Sequence, residues 1–95
     1  MPVLMIGEPN LPEEMYAGMV SSLAPGMQGA KGFIAHGGGP DPAAGWRVVE
    51  IWESEDDARA WFDANVAPNL PPEIDLKQSY YPLHTAFTPA GISGS

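Results

Sequence analysis

The 95-residue chain contains no cysteine. Disulfide bridges, zinc–thiolate centres and thiol nucleophiles are therefore excluded, and an intracellular location is allowed. The chain also has no apolar run near the roughly eighteen residues that a membrane helix needs. Its first residues, MPVLMIGEPN, lack the basic region and the apolar stretch of a signal peptide. We therefore expect a cytoplasmic protein with no membrane partner.

Positive charge is also scarce. Four basic side chains stand against twelve acidic ones, for a net charge of −8. This balance argues against nucleic acid and anionic membrane surfaces as partners. An anionic substrate would find few groups to bind it, so a neutral or aromatic small molecule is the favoured ligand. Solubility alone is the simpler explanation of the charge.

Motifs for metals and cofactors are missing. The two histidines, His36 and His84, have no metal-ligand spacing, so no metal site is predicted. The glycines at 37–39 lack the lysine and the strand-to-helix context of a phosphate-binding loop. We predict a turn or loop over residues 37–45 and expect no cofactor, since no flavin or nicotinamide motif is present.

The most informative stretch is residues 45–68, GWRVVEIWESEDDARAWFDANVAP. Alternation over Trp46–Glu53 predicts a strand, and large apolar groups on both of its sides predict that both faces are covered. Ser54, with Asp57 three residues later, predicts the start of a helix that closes at Pro68. One face of the strand carries Trp46, Val48, Glu50 and Trp52.

The remaining elements are predicted from shorter patterns. Val3–Ile6 is an apolar run typical of a buried strand, and Leu11–Leu23 is an amphipathic helix that a proline–glycine pair should end. Gly32–His36 predicts a second strand that forms a hairpin with the strand from Trp46. Gln78–Phe87 alternates again, and the proline within it indicates an edge strand or a bulge.

The predicted order is strand, helix, strand, strand, helix, strand. This is the α+β, ferredoxin-like βαββαβ arrangement, with a four-stranded antiparallel sheet and both helices on one face. We predict one domain over residues 1–88 and a flexible tail over 89–95. The second face of the sheet then needs a cover, which predicts a homodimer packed sheet to sheet as a dimeric α+β barrel.

The passage GFIAHGGGPDPAAGWRVVEIWESEDDARAWFDANVAPNL resembles the antibiotic biosynthesis monooxygenase-like branch of the dimeric α+β barrel proteins. The likeness lies in a second strand that ends in His36 before glycines and a third that ends in Trp-x-Ser. It implies a dimer of apposed sheets and a pocket between sheet and helices. Relatives include cofactor-free oxygenases and cyclases of polyketide pathways, isomerases and haem-degrading enzymes. The haem-degrading pattern of Asn on the first strand and His on the second helix is absent.

Three residues are candidates for catalysis. His36 and His84 could each take a proton from a phenol or enol. Glu50 shares a face with tryptophans, so its carboxyl must be paired or held protonated as a general acid. Structural readings stay open for all three: histidines hydrogen-bonded at strand ends, and a salt bridge from Glu50 to an arginine across the dimer.

Several large side chains are candidates for substrate binding. Aromatic residues and a methionine could line an adaptable apolar cavity, although at helical spacing they also suit a core. Asn65 is added by the resemblance, since family oxygenases often pair Asn with Trp near the pocket. The set is Tyr16, Met19, Trp52, Trp61, Asn65 and Tyr80.

Two functions are compatible with these residues. The first is a cofactor-independent enzyme, of the monooxygenase or cyclase/isomerase type, that uses a histidine base on a polyketide-like or aromatic molecule. The second is a non-catalytic small-molecule-binding or structural homodimer of the same fold. An apolar pocket reached by one imidazole would favour the enzyme, and a pocket filled by Trp52, Trp61 and Met19 would favour the structural role.

Overall fold

A computed structural model of the chain describes residues 1–10, 12–42, 45–74 and 76–94. Its strands are β1 (Val3–Pro9), β2 (Phe33–Pro40), β3 (Trp46–Trp52), β4 (Leu76–Pro82), β5 (Thr85–Thr88) and β6 (Gly91–Gly94). Its helices are α1 (Glu13–Gln28) and α2 (Glu55–Trp61), and α2 runs on into a π turn (Phe62–Val66) and a 3-10 turn (Ala67–Asn69). Among the described residues, no helix has the length and apolar character needed to cross a membrane.

The first four strands form one antiparallel sheet in the order β2-β3-β1-β4. This confirms the predicted ferredoxin-like βαββαβ fold. β4 lies at an edge of that sheet, as the proline in its sequence predicted. β5 and β6 form a separate two-stranded ladder after it.

The register aligns residues in rows across the sheet. One row on the face toward the helices consists of His36, Glu50, Met5 and Tyr80, and the next consists of Gly38, Val48, Gly7 and Gln78. Because neighbouring strands lie about 4.8 Å apart, residues of one row are close enough for their side chains to interact. The two rows supply the floor of the site described below.

The buried core sits at one end of this face. Val3 and Trp52 from the sheet pack against Met27 of α1 and Ala58 of α2, and Trp52 is completely buried at 0% exposure. The core shows that both helices cover the same face. Toward the other end of the sheet, the space between helices and sheet is less completely filled.

The end of α1 differs from the prediction. The helix continues past Pro25 to Gln28 and ends at Gly29, whose amide donates to the carbonyl of Gly26. Pro25 removes one backbone donor, but burial of Met27 in the core stabilises the final turn. The prediction that the helix stops at Leu23 is therefore wrong. Its predicted start, Leu11, lies outside the described residues.

The glycines after His36 also differ from the prediction. Residues 37–40 are strand, not loop, and β2 pairs with β3 as far as the pair Pro40 and Trp46. A Cβ at Gly38 would overlap the ring and hydroxyl of Tyr16, so the missing side chain makes room for that ring. The predicted hairpin is confirmed, with a loop that begins at Asp41; the two alanines in it lie outside the described residues.

The start of α2 follows its prediction closely. The Ser54 hydroxyl accepts a hydrogen bond from the Asp57 amide at 3.1 Å, and three acidic residues occupy the first turn. The end differs slightly, because Pro68 lies within the 3-10 turn instead of closing the run before it. A proline fits there because the first residues of a helical turn need no amide donor.

The last predicted strand is divided in two. β4 ends at Pro82; the Leu83 amide still donates to the carbonyl of Pro2, in register with β1, and the chain then bends at His84 before β5 begins. The prediction of one strand over Gln78–Phe87 is wrong for this reason. The tail, predicted to be flexible from its composition, contains β6, which pairs with β5 through a turn in which the Ala90 amide donates to the Thr88 hydroxyl. Ser95 lies outside the described residues.

Candidate functional site

A cavity of about 440 Å³ lies between the sheet and the helices. This volume is in the range of small-molecule sites. Its floor comes from the two central rows of the sheet, and its walls come from α1, α2 and the π turn. Six of the predicted site residues line it: Tyr16, Met19, His36, Glu50, Trp61 and Tyr80.

Four side chains beside the cavity form a chain of hydrogen bonds. The Tyr16 hydroxyl lies 2.6 Å from His36 Nε2, and His36 Nδ1 lies 2.9 Å from Glu50 Oε2. Trp52 Nε1 donates to Glu50 Oε1 at 2.8 Å. Both imidazole nitrogens and both carboxylate oxygens therefore have partners, which is what a buried polar group requires.

Local structure explains how these four residues meet. Alternation along β3 places Glu50 and Trp52 on the same face, two residues apart. The β2–β3 register then sets His36 directly opposite Glu50. The carboxylate faces the helices, and both of its hydrogen-bond partners, His36 and Trp52, belong to its own chain.

Donor and acceptor rules determine which group donates in each of these hydrogen bonds. The indole N–H of Trp52 can only donate, so Glu50 accepts from it, and an ionised Glu50 also accepts from His36 Nδ1–H. A neutral His36 then has a lone pair at Nε2, and this lone pair accepts a hydrogen bond from the Tyr16 hydroxyl. A proton gained at Nε2 would produce an imidazolium next to a carboxylate, the arrangement that makes histidine an effective base.

Tyr16 is held firmly at the end of this chain. Its ring stacks on the His36 imidazole, with centroids 6.0 Å apart and planes 10° apart, and packs at a tilt against Trp46 at 5.1 Å. The glycine at position 38 provides the space beneath it. Burial, and secondarily the negative charge of Glu50, raise the pKa of the Tyr16 phenol above its usual value, so the hydroxyl keeps its proton at neutral pH.

The lining of the cavity is almost entirely apolar. Of the described residues that line it, none is a lysine, arginine or aspartate, and the charged or titratable groups are His36, Glu50 and the two tyrosine hydroxyls. An anion would enter without a positive partner and would face Glu50. The cavity therefore suits an uncharged ligand.

Tyr80 and Trp61 occupy the side of the cavity away from β2. Within the described part of the chain, the Tyr80 hydroxyl and Trp61 Nε1 are buried without a hydrogen-bond partner. Burial raises the pKa of Tyr80, and the Arg59 guanidinium, 4.4 Å above its ring, opposes that shift. These polar atoms lie in an otherwise apolar wall.

Three predicted site residues do not line the cavity. Trp52 is buried behind Glu50 and positions the carboxylate. Asn65 donates to the backbone carbonyl of Trp61 at 3.2 Å, so its contact with that tryptophan is a helical one. His84 is exposed between β4 and β5, next to the Thr85 hydroxyl, because β4 ends before it; its predicted place on a strand is wrong.

Two residues that shape the site, Gly38 and Met27, were not predicted from the sequence. Gly38 determines where Tyr16 lies, and Met27 adds to the wall from a helical turn that was not predicted. Three glycines directly after a strand histidine were the available signal, because glycine within a strand marks a close approach by another group. In the described parts of the chain, no three histidine, aspartate or glutamate side chains are arranged to hold a metal ion.

Comparisons with known proteins bear on the fold. No family model and no curated protein matches the chain. A structure from Shewanella loihica PV-4, described as a candidate monooxygenase, is similar with a TM-score of 0.55 and 16% identity over 86% of this chain and 93% of that one. A protein of unknown function from Nitrosomonas europaea has a TM-score of 0.57 and 20% identity over 95% of both chains. At such identities the likeness shows a shared ferredoxin-like fold.

Proposed function

We propose that the protein is a cofactor-independent enzyme of the monooxygenase or cyclase/isomerase type. Its substrate is a neutral aromatic or polyketide-like molecule, and its base is His36. The observation that carries the proposal is the hydrogen-bonded chain from Tyr16 to Trp52, which borders an apolar cavity of small-molecule size. The resemblance to antibiotic biosynthesis monooxygenase-like proteins, and the Shewanella neighbour described as a candidate monooxygenase, agree with this chemistry.

The parts of the site have separate roles. His36 Nε2 receives the substrate proton, Glu50 stabilises the imidazolium, and Trp52 fixes the carboxylate. The resulting substrate anion then reacts with molecular oxygen or closes a ring. Trp61 and Met19 border the cavity without filling it, and Trp52 lies outside it, which favours the enzyme over the purely structural role.

Oxygen uptake with anthrone, whose enol form is a phenol, tests the proposal. His36→Ala should lower the rate by about a hundredfold or more, the usual contribution of a general base. His84→Ala is the matched control, because His84 is exposed and does not line the cavity, and it should leave the rate unchanged. Equal rates for wild type and both variants would refute the assignment of the base.

A non-catalytic binding protein is the second candidate. It is favoured by the fact that both His36 nitrogens already have hydrogen-bond partners. The hydrogen-bonded side chains could then serve as a fixed polar anchor for a ligand. In that case anthrone or a related phenol would bind with a defined stoichiometry, and oxygen uptake would equal that of buffer alone.

We also propose a homodimer formed by the sheet face away from the helices. That face carries apolar side chains at Leu4, Ile6, Val49, Ile51 and Tyr81, and Tyr81 is 50% exposed. Strand alternation also places Arg47, Lys77 and Glu8 there, so both signs of charge are present and a second copy can pair with the first.

Light scattering tests the dimer. Wild type at micromolar concentration should have twice the protomer mass, and Val49→Lys should have the mass of one protomer, because a lysine at the centre of the face would bury an unpaired charge. Lys31→Ala, at a position where the side chain is 91% exposed, is the control and should remain dimeric. A wild-type mass of one protomer would refute the proposal.

A further inference from the structure

We infer that Tyr16 is a catalytic residue that contacts the substrate and passes the substrate proton to His36. This inference rests on the proposed function and specifies its substrate as a molecule with an acidic hydroxyl, a phenol or an enol. It assigns to Tyr16 a chemical role in addition to that of lining the cavity.

The first support is that His36 has no free nitrogen. Nδ1 is occupied by Glu50 at 2.9 Å, and Nε2 is occupied by Tyr16 at 2.6 Å. A substrate can therefore reach the base in two ways: it displaces the Tyr16 hydroxyl, or it binds to that hydroxyl and uses it as the path to Nε2.

The second support is that displacement of Tyr16 is obstructed. The ring lies between the His36 imidazole, the Trp46 indole and the backbone of Gly38, where a side chain as small as alanine would already collide with it. Its backbone is in the first half of α1. Movement of the hydroxyl would require the ring to leave all three contacts.

The third support is the hydrogen-bonding capacity of a phenol. A tyrosine hydroxyl donates one proton and can accept another. Tyr16 donates to Nε2 and lines the cavity, so its oxygen can accept a hydrogen bond from a substrate hydroxyl there. Because the raised pKa keeps the Tyr16 phenol protonated at neutral pH, the hydroxyl can donate to His36 and accept from the substrate at the same time.

The proton transfer balances without an added reactant. The substrate O–H bond breaks as a new O–H bond forms at Tyr16, and the original Tyr16 O–H bond breaks as N–H forms at His36 Nε2. Tyr16 is neutral before and after, His36 becomes a cation beside the Glu50 carboxylate, and the substrate becomes a phenolate or enolate. The new Tyr16 O–H then donates a hydrogen bond to that anion. Nothing is oxidised or reduced in this step.

The test uses 4-nitrophenol, whose neutral and anionic forms have different absorption spectra. At a pH below its own pKa, wild type should bind the neutral form in the cavity. Tyr16→Phe should weaken binding about tenfold through loss of one hydrogen bond, and Tyr81→Phe, on the opposite face of the sheet, should bind as wild type does. If the ligand instead reaches His36 directly, Tyr16→Phe uncovers Nε2 and binding stays equal or becomes tighter, which would overturn the inference.

Three further variants separate the role of Tyr16 from that of the cavity. Gly38→Ala retains the hydroxyl but displaces it, and should weaken 4-nitrophenol binding while Gly39→Ala, with open space at its Cβ position, does not. Ala24→Phe reduces the cavity volume and should abolish binding. If wild type fails to bind, or if Ala24→Phe binds equally well, the proposed function fails; if binding needs the cavity but not Tyr16, the inference about Tyr16 alone fails.

Discussion

The two faces of the sheet use the same strands for opposite purposes. On the face toward the helices, one row holds His36, Glu50, Met5 and Tyr80; on the other face, the adjacent row holds Ile51, Leu4 and Tyr81. The first face buries charged and polar groups, and the second exposes large apolar ones. Glu50 is 9% exposed, whereas Tyr81 is 50% exposed.

This difference shows which physical requirement each face meets. A buried carboxylate is stable at Glu50 because His36 and Trp52 supply its hydrogen bonds. An apolar face with side chains such as Tyr81 and Val49 instead needs a surface against which to pack. The comparison therefore separates a candidate reaction site from a candidate interface within one sheet.

The largest expected effect is on folding stability at the core end of the helix-covered face. Trp52→Ala should lower the free energy of unfolding by about 3–5 kcal/mol, because it removes a fully buried indole. Tyr81→Ala, on the other face, should cost less than about 1 kcal/mol at low protein concentration. Urea unfolding measures both. An effect of Tyr81→Ala as large as that of Trp52→Ala at every concentration would contradict the comparison.

A smaller effect is expected from the buried carboxylate. Glu50→Gln replaces one acceptor oxygen with an amide donor, so either Trp52 loses its acceptor or His36 must change tautomer to accept from the amide, and in both cases charge-assisted hydrogen bonds are lost, at a cost of about 1–3 kcal/mol. Glu8→Gln changes an exposed side chain on the opposite face and should alter stability by less than about 0.5 kcal/mol. Chemical denaturation of the two variants provides the measurement, and equal stabilities would show that Glu50 needs neither partner.

Gly38 and Gly39 are neighbours in β2 that lie on opposite faces of the sheet, so substitutions at the two positions compare the faces directly. Gly38→Ala should cost about 1–2 kcal/mol, because the new methyl group collides with Tyr16. Gly39→Ala points away from that ring into open space and should be neutral or slightly stabilising. Thermal unfolding distinguishes them. A neutral Gly38→Ala would mean that Tyr16 moves freely.

The smallest effect concerns alkaline pH. The pKa values of Tyr16 and Tyr80 are raised by burial, so both phenols should ionise above the usual pH of about 10 in a spectrophotometric titration. Since the folded state holds these protons more tightly, their contribution to stability is present below about pH 10 and is lost as pH rises through the raised pKa values. Tyr16→Phe should reduce that alkaline loss, and an unchanged pH profile would contradict it.

Local sequence patterns predicted much of the fold. The alternation in β3 and the Ser54 cap of α2 are determined by neighbours in the sequence, so both were predicted correctly. The continuation of α1 past Pro25 was not, because burial of Met27 against distant residues outweighs the local effect of proline. The strand through residues 37–40 was not predicted for a similar reason, because the glycine at position 38 makes room for the ring of Tyr16, which belongs to α1.

The candidate site divides along the same line. The sequence by itself determined that Glu50 and Trp52 share one face of a strand, because side chains alternate with a period of two. Only the tertiary structure decided that His36 stands opposite Glu50, 14 residues away, and that Tyr16 reaches His36 across 20 residues. Strand register sets the first contact and the packing of α1 on the glycine strand sets the second, and neither is encoded in a local pattern.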